Sequence, residues 1–229
     1  MRNLRGTYVH RGDAERRRTR VKRAALLLTC CGALGMAWDA RTGPAEASAE
    51  TAQLPRGAEL NNMRDEINAA RGEIDLAHAQ LERWNRIYNY STKYRIGADL
   101  AASIYDVAMA EKIEPELAFR LVRVESEFNE HATSPVGAVG LTQVMPATAK
   151  YFQKDVTKEK LYDRHLNLRI GFRYLRGLIR EYKGDVKLAL LVYNRGPQAV
   201  ETLRALGVNP SNGYEHAVTK GYEGKGTID

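Results

Sequence analysis

From Leu60 to Tyr88 the apolar residues fall three and four apart without a slip: Leu60, Met63, Ile67, Ala70, Ile74, Ala77, Leu81, Trp84 and Tyr88. Polar residues, among them Arg64, Glu66, Arg71, Glu73 and Glu82, fill the positions between. A strand repeats every two residues and cannot gather this set on one face, so the segment reads as a helix with a narrow apolar seam. Gly72 inside it weakens the helix by about 1 kcal/mol. Alanine at two seam positions makes a weak zipper. The pattern fits either a short coiled coil, for self-association or docking on an envelope partner, or an amphipathic helix packed on its own domain.

The helical period resumes after a bend expected over Tyr90 to Arg95. Ile96, Leu100, Ile104 and Val107 define one helix. Glu114-Pro115-Glu116 opens another, because proline suits the first helical position and acids favour the N-terminal dipole. Further helices are predicted over Ala147–Gln153, Leu166–Tyr182, from Asp185 through Val192, and over Gln198–Leu206, with Gly184 and Gly207 as stops. No alternating strand pattern appears anywhere. The fold class is therefore all-α, with a glycine-rich, charged tail over 223–229 expected to be loose.

The N-terminus has a different character. Residues 1–23 are strongly basic and end in Arg16-Arg17-Arg18-Thr19-Arg20-Val21-Lys22-Arg23. An uncharged, mostly apolar stretch from Ala24 to Trp38 follows, and then Ala45-Glu46-Ala47-Ser48-Ala49. This order matches a secretory signal and predicts export to the periplasm or cell envelope. The apolar stretch is shorter than the roughly 20 residues of a membrane span, although an uncleaved signal anchor is the alternative over residues 1–49. Leu27-Leu28-Thr29-Cys30 only loosely resembles a lipobox, with threonine in the place of a small residue. Cys30 and Cys31 are the two cysteines of the chain, so a processed chain would hold neither disulfide nor thiolate metal site.

The formal charge of +7 belongs to this leader. Residues 1–49 hold ten of the 35 Lys and Arg and four of the 28 Asp and Glu, which leaves 25 against 24 from Glu50 onward, a net of +1. Nothing in that part argues for a nucleic-acid partner. His131, His165 and His216 are isolated, and no helix carries metal-ligand spacing, so neither metal nor cofactor is implied.

The chemistry concentrates at Glu125. It ends an apolar helical stretch and shares a helix face with Leu121 and Val122, one turn back. Such neighbours desolvate a carboxylate, raise its pKa and keep a proton available near neutral pH. An exposed glutamate at a helix end is the alternative. Gly137 and Gly140 bracket a turn where backbone can approach a ligand. Gln143, Met145, Tyr193, Asn194 and Tyr214, the last expected in a turn after Asn209-Pro210-Ser211-Asn212-Gly213, offer the amide, apolar and aromatic groups that a carbohydrate cleft needs.

These residues stand in an order that resembles the lytic transglycosylases of the soluble type and their goose-type lysozyme relatives. The matching elements are Glu125-Ser126-x-Phe128-Asn129, then Ser134, Gly137-Ala138, Gly140-Leu141, Gln143, Met145-Pro146 and Thr148-Ala149, then Tyr193-Asn194-x-Gly196, and last Tyr214 with Val218. The similarity covers about residues 97–222. Departures are Glu130 where proline is common, Thr142 where methionine is common, Arg195 where alanine is common, and Ser211-Asn212-Gly213 where a Glu-Thr pair is frequent.

The resemblance implies a lysozyme-like catalytic domain over 96–222, behind a linker and heptad helix over 50–95. Glu125 would be the sole acid and base, cleaving the bond between N-acetylmuramic acid and N-acetylglucosamine of peptidoglycan and closing a 1,6-anhydro ring. Ser126, Ser134, Gln143, Met145, Tyr193, Asn194 and Tyr214 would bind the glycan. Two other readings stay open: a hydrolytic lysozyme that uses water, and a non-catalytic wall-binding scaffold that recruits partners through residues 60–88. Glu130, Asp155 and Glu159, in expected loops, leave room for a second acid.

Overall fold

The computed structural model describes residues 57–228. The expected signal or anchor over 1–49 lies outside them. Within them the chain forms α1 (Gly57–Tyr94), α2 (Ala98–Ala110), α3 (Pro115–Ser126), α4 (Pro146–Phe152), a 3-10 turn (Glu159–Tyr162), α5 (Arg164–Glu181), α6 (Val186–Arg195), α7 (Pro197–Ala205) and α8 (Tyr214–Thr219). Among the described residues strand-type pairing is limited to isolated bridges, such as Val139 with Val144. The all-α reading holds.

Local chemistry starts the helices where the sequence suggests. Pro115, Pro146 and Pro197 each sit in a first turn, where the missing N–H costs nothing. The Asp163 and Asp185 carboxylates cap α5 and α6 by accepting from the Leu166 and Leu188 N–H groups, at 2.8 and 3.0 Å. Two expectations need correction. The bend foreseen over Tyr90–Arg95 is confined to its last residue: α1 runs on to Tyr94, and the chain turns at Arg95, whose φ is 56°. Tyr90 and Tyr94 stack on Phe119 with centroids 4.1 and 5.5 Å away, and that packing holds the last turn helical. Tyr214, foreseen in a turn, instead opens α8 behind Gly213, whose φ of 84° puts it in the left-handed region.

The main core lies between α2, α3, α5 and α6. Phe119, Phe172, Leu117, Leu121, Leu168 and Leu175 are fully buried there. Each such side chain stabilises the fold by about 1.5–3 kcal/mol. A smaller core of Val139, Val144, Val156, Leu161 and Ile170 lies under the long connection between α3 and α5. The final residues also pack: Glu114 N–H donates to Gly226 O at 3.0 Å, and Ile228 N–H donates to Lys112 O at 3.0 Å. The Glu114 carboxylate accepts from the Tyr222 hydroxyl and from the Lys225 N–H. The tail expected to be loose is thus bound to the start of α3, through backbone groups that composition does not reveal.

Only the last turns of α1 touch the domain. Ile87 is buried at 1% exposure, Arg83 pairs with Asp106 of α2, and Lys93 reaches Glu116 of α3 at 2.7 Å. The apolar seam is not on that face. Leu60 is 52% exposed, Ile67 50%, Leu81 58% and Trp84 55%. Among the described residues no helix is long and apolar enough to cross a membrane.

Candidate active site

Helix α3 ends at Ser126, and the next two residues, Glu127 and Phe128, both adopt left-handed φ of 52° and 65°. Consecutive non-glycine residues in that region store strain of order 1–3 kcal/mol each, so the surroundings must hold them. The Ser126 hydroxyl lies 3.1 Å from Val122 O and 2.8 Å from Leu141 O, both as acceptors. It thereby ties the end of α3 to the loop that carries Gln143. Expected beside the glycan, Ser126 is instead buried and its hydroxyl is committed to main chain.

That loop is held from the other side by Asn167 of α5, 1% exposed. Its amide oxygen accepts from Thr142 N–H at 2.9 Å and from the Thr142 hydroxyl at 2.7 Å. Its amide nitrogen donates to Val139 O at 2.8 Å and Leu161 O at 2.9 Å. Two glycines permit this approach. A Cβ on Gly140, at φ 75°, would lie 2.3 Å from the Asn167 amide nitrogen, and one on Gly171 would lie 2.3 Å from the Thr142 hydroxyl. Thr142, where the resembling family commonly has methionine, is therefore a polar partner for Asn167. Sequence reasoning missed Asn167; a lone asparagine amid the apolar face of α5 was the available signal.

Glu125 sits on the last turn of α3, half-buried above the fully buried Leu121 and Val122. Burial pushes its carboxyl up to about 7, partly opposed by a hydrogen bond from the Tyr214 hydroxyl to Oε1. Tyr193 and Tyr214 are both held neutral, first by burial and then by the nearby Glu125 charge. Tyr193 donates its hydroxyl hydrogen to Thr142 O at 2.8 Å, which joins α6 to the clamped loop. Tyr214 is set in turn by Asn212, whose side chain accepts from Tyr214 N–H at 3.2 Å and donates to Asn194 Oδ1 at 2.9 Å. Asn212 stands where the resembling family often has a different pair, and here it joins Asn194 to the partner of Glu125.

Beside these groups runs a groove. One part, of about 320 Å³, is lined by Gln143, Met145, Tyr193, Asn194, Arg195 and Tyr174 among others. It meets a second part of about 590 Å³, where Thr148, Tyr174 and Pro197 are shared and Tyr151, Phe152 and Glu181 are added. Four expected site residues thus line one cavity, and Tyr214 contacts Glu125 directly. Gln143, at φ 46°, donates its amide to Gly140 O at 2.9 Å, so the amide plane is fixed. Ser134 lies in the turn before the loop, where its hydroxyl accepts from Ala138 N–H at 2.9 Å. Of the acids left open, Glu130 is engaged by Arg164 in a two-pronged pair, with Nε to Oε2 at 3.0 Å. Among the described residues no carboxylate, Glu125 included, lines the 320 Å³ part, and Glu181 lines the 590 Å³ part.

Removing the hydroxyl from Tyr214 tests this geometry. The hydrogen bond lowers the Glu125 pKa, so Tyr214→Phe is expected to raise it further and to slow any reaction that uses Glu125 by about 10–100-fold. The alkaline limb of the pH–rate profile should move to higher pH. A wild-type profile in that variant would exclude the contact from function.

Comparison with known proteins finds similar chains. The family model of the transglycosylase SLT domain matches residues 103–208. A soluble lytic murein transglycosylase of Salmonella typhimurium is 33% identical over 128 residues, covering 53% of this chain and 18% of the relative. A transglycosylase of Enterobacteria phage PRD1 is 42% identical over 84 residues, covering 37% of this chain and 30% of the relative. A solved lytic transglycosylase Slt from Pseudomonas aeruginosa aligns at 26% identity over 51% of this chain and 22% of its own, with a TM-score of 0.45. The chain thus spans less than a third of each of these relatives.

Proposed function

We propose, from the match of residues 103–208 to the transglycosylase SLT family model, that this chain cleaves the glycan strands of peptidoglycan in the cell envelope. The reaction is a lytic transglycosylation with Glu125 as single acid and base. The observation that carries this reading is the half-buried Glu125 carboxyl, proton-bearing up to about pH 7, with the Tyr214 hydroxyl on it and a polar, aromatic groove alongside.

The steps use one proton. Protonated Glu125 gives its hydrogen to the glycosidic oxygen between N-acetylmuramic acid and N-acetylglucosamine, and the C1–O bond breaks. Positive charge develops at C1, opposite a carboxylate that has just formed. That carboxylate then removes the proton from the muramoyl C6 hydroxyl, O6 bonds to C1, and a 1,6-anhydro ring closes with Glu125 again protonated. Water is not consumed. Gln143, Asn194 and Ser134 would bind hydroxyl and acetamide groups, while Met145, Tyr193 and Tyr174 would offer apolar surface to the rings. Residues 60–88 serve in this reading for association outside the catalytic domain.

Digestion of purified peptidoglycan tests the proposal by product mass. Anhydro-muropeptides are expected, lighter by the mass of one water than hydrolysed products. Hydrated ends alone would make the chain a lysozyme. Intact glycan with retained wall binding would make it a scaffold.

A further inference from the structure

The exposed seam of α1 asks for a partner, and the charges that border it say which one. With Leu60, Ile67, Ile74 and Leu81 at heptad position a, and Met63, Ala70, Ala77 and Trp84 at d, the flanking positions follow by counting. Position g holds Glu66, Glu73 and Gln80; position e holds Arg64, Arg71 and His78. One flank is therefore acidic and the other basic. In a parallel pair, each g residue faces the e residue five positions on in the partner helix. That sets Glu66 against Arg71 and Glu73 against His78, twice each by symmetry. An antiparallel pair sets g against g and e against e, placing glutamate on glutamate and arginine on arginine.

The tertiary structure leaves this seam available. The face of α1 that docks on the domain carries Arg83, Ile87, Tyr90 and Tyr94. At 100° per residue, that face lies about 130° around the helix from the seam. The domain thus holds α1 by one side and leaves the other in solvent for about 40 Å. Gly72 falls at position f, pointing away from any partner, and nothing lies within 4 Å of where its Cβ would be. β-branched Ile67 and Ile74 at a suit two strands. We propose that α1 pairs with α1 of a second copy as a parallel, in-register, two-stranded coiled coil over residues 60–84. Parallel pairing brings the two ends at residue 57 together and carries two catalytic domains at the other end.

Sedimentation equilibrium of the whole chain, with Cys30→Ser and Cys31→Ser, reads the association. A concentration-dependent monomer–dimer equilibrium is expected, weak because Ala70 and Ala77 bury little at d. Reversing the g charges with E66R and E73R is expected to weaken it about tenfold or more. Mixing that variant with one carrying R71E and H78E should restore pairing between the two. Met63→Cys in the same background should cross-link to itself under mild oxidation, since an antiparallel arrangement would set position 63 near position 84, at the far end. A chain that stays monomeric, a dimer indifferent to the charge reversals, or a dimer that fails to cross-link at 63 would each overturn the proposal. Circular dichroism and peptidoglycan release, expected unchanged in all variants, separate these outcomes from a failure of folding or of the catalytic reading.

Discussion

Glutamine in place of Glu125 is expected to remove peptidoglycan release and, above pH 7, to make the domain more stable. The loss should be about 1000-fold or more, because in the proposed reaction one group acts in both proton transfers, and general acid–base catalysis alone contributes about 10²–10⁴. The gain follows from linkage. The folded carboxyl titrates at about 7, against an ordinary value of 4.5. Between those values the folded state binds more protons than the unfolded one, so stability falls as pH rises through this window. Below 4.5 both states are protonated and the effect is absent. Above 7 both are ionised and the full cost is present, on the order of 3 kcal/mol at about 1.4 kcal/mol per unit. Glutamine keeps an amide oxygen for the Tyr214 hydroxyl and does not ionise. Thermal melts from pH 4 to pH 8 should show wild type losing roughly 5–10 °C relative to the variant as pH rises. Parallel melting curves across that range would mean that the carboxyl is not desolvated, and the proton-donor role would fall with it.

Alanine at Asn167 is expected to cost stability on a scale that few single changes reach. Asn167 answers Thr142 N–H, the Thr142 hydroxyl, Val139 O and Leu161 O, all from a buried position. Truncation leaves several of these groups unpaired, at about 1–3 kcal/mol each when no water reaches them. A combined loss of about 4 kcal/mol or more is expected in chemical denaturation, with the slope unchanged. Function should suffer even where the domain stays folded. The released loop carries Gln143 and Met145, and Tyr193 is anchored on Thr142 O. Aspartate at the same place should not rescue, because it lacks the donor that Val139 O and Leu161 O require. A variant with wild-type stability would show that the loop is held by its apolar residues, Val139 and Leu141, alone.

The helices were legible because their signals are local. Apolar spacing, prolines at first turns and the aspartates at 163 and 185 act over a few residues, and the structure agrees to within a residue or two at most ends. Errors came where a distant contact overrode a local preference. Tyr90 and Tyr94 stay helical because Phe119, 25 or more residues away, stacks on them. The tail folds because its backbone meets Lys112 and Glu114. The residue pattern left Glu125 open between a desolvated acid and an exposed one at a helix end, and only the fold shows its burial; Ser126 was misassigned because adjacency in the chain says nothing about which way a hydroxyl points. Its partner Leu141 O belongs to a loop 15 residues on.

Periodicity and residue type alone settled that this chain is helical, where most of its helices begin, that α1 carries a seam, and that Glu125 has apolar neighbours one turn back, though not that it is buried. Those properties depend on residues within one or two turns of each other. Folding in three dimensions settled the rest: that the seam of α1 points away from its own domain, that Asn167 rather than Ser126 supports the loop through several groups at once, and that Tyr214 rests on Glu125. Each of these requires segments far apart in the chain to meet, and burial there pushes the Glu125 carboxyl from its ordinary value up to about 7.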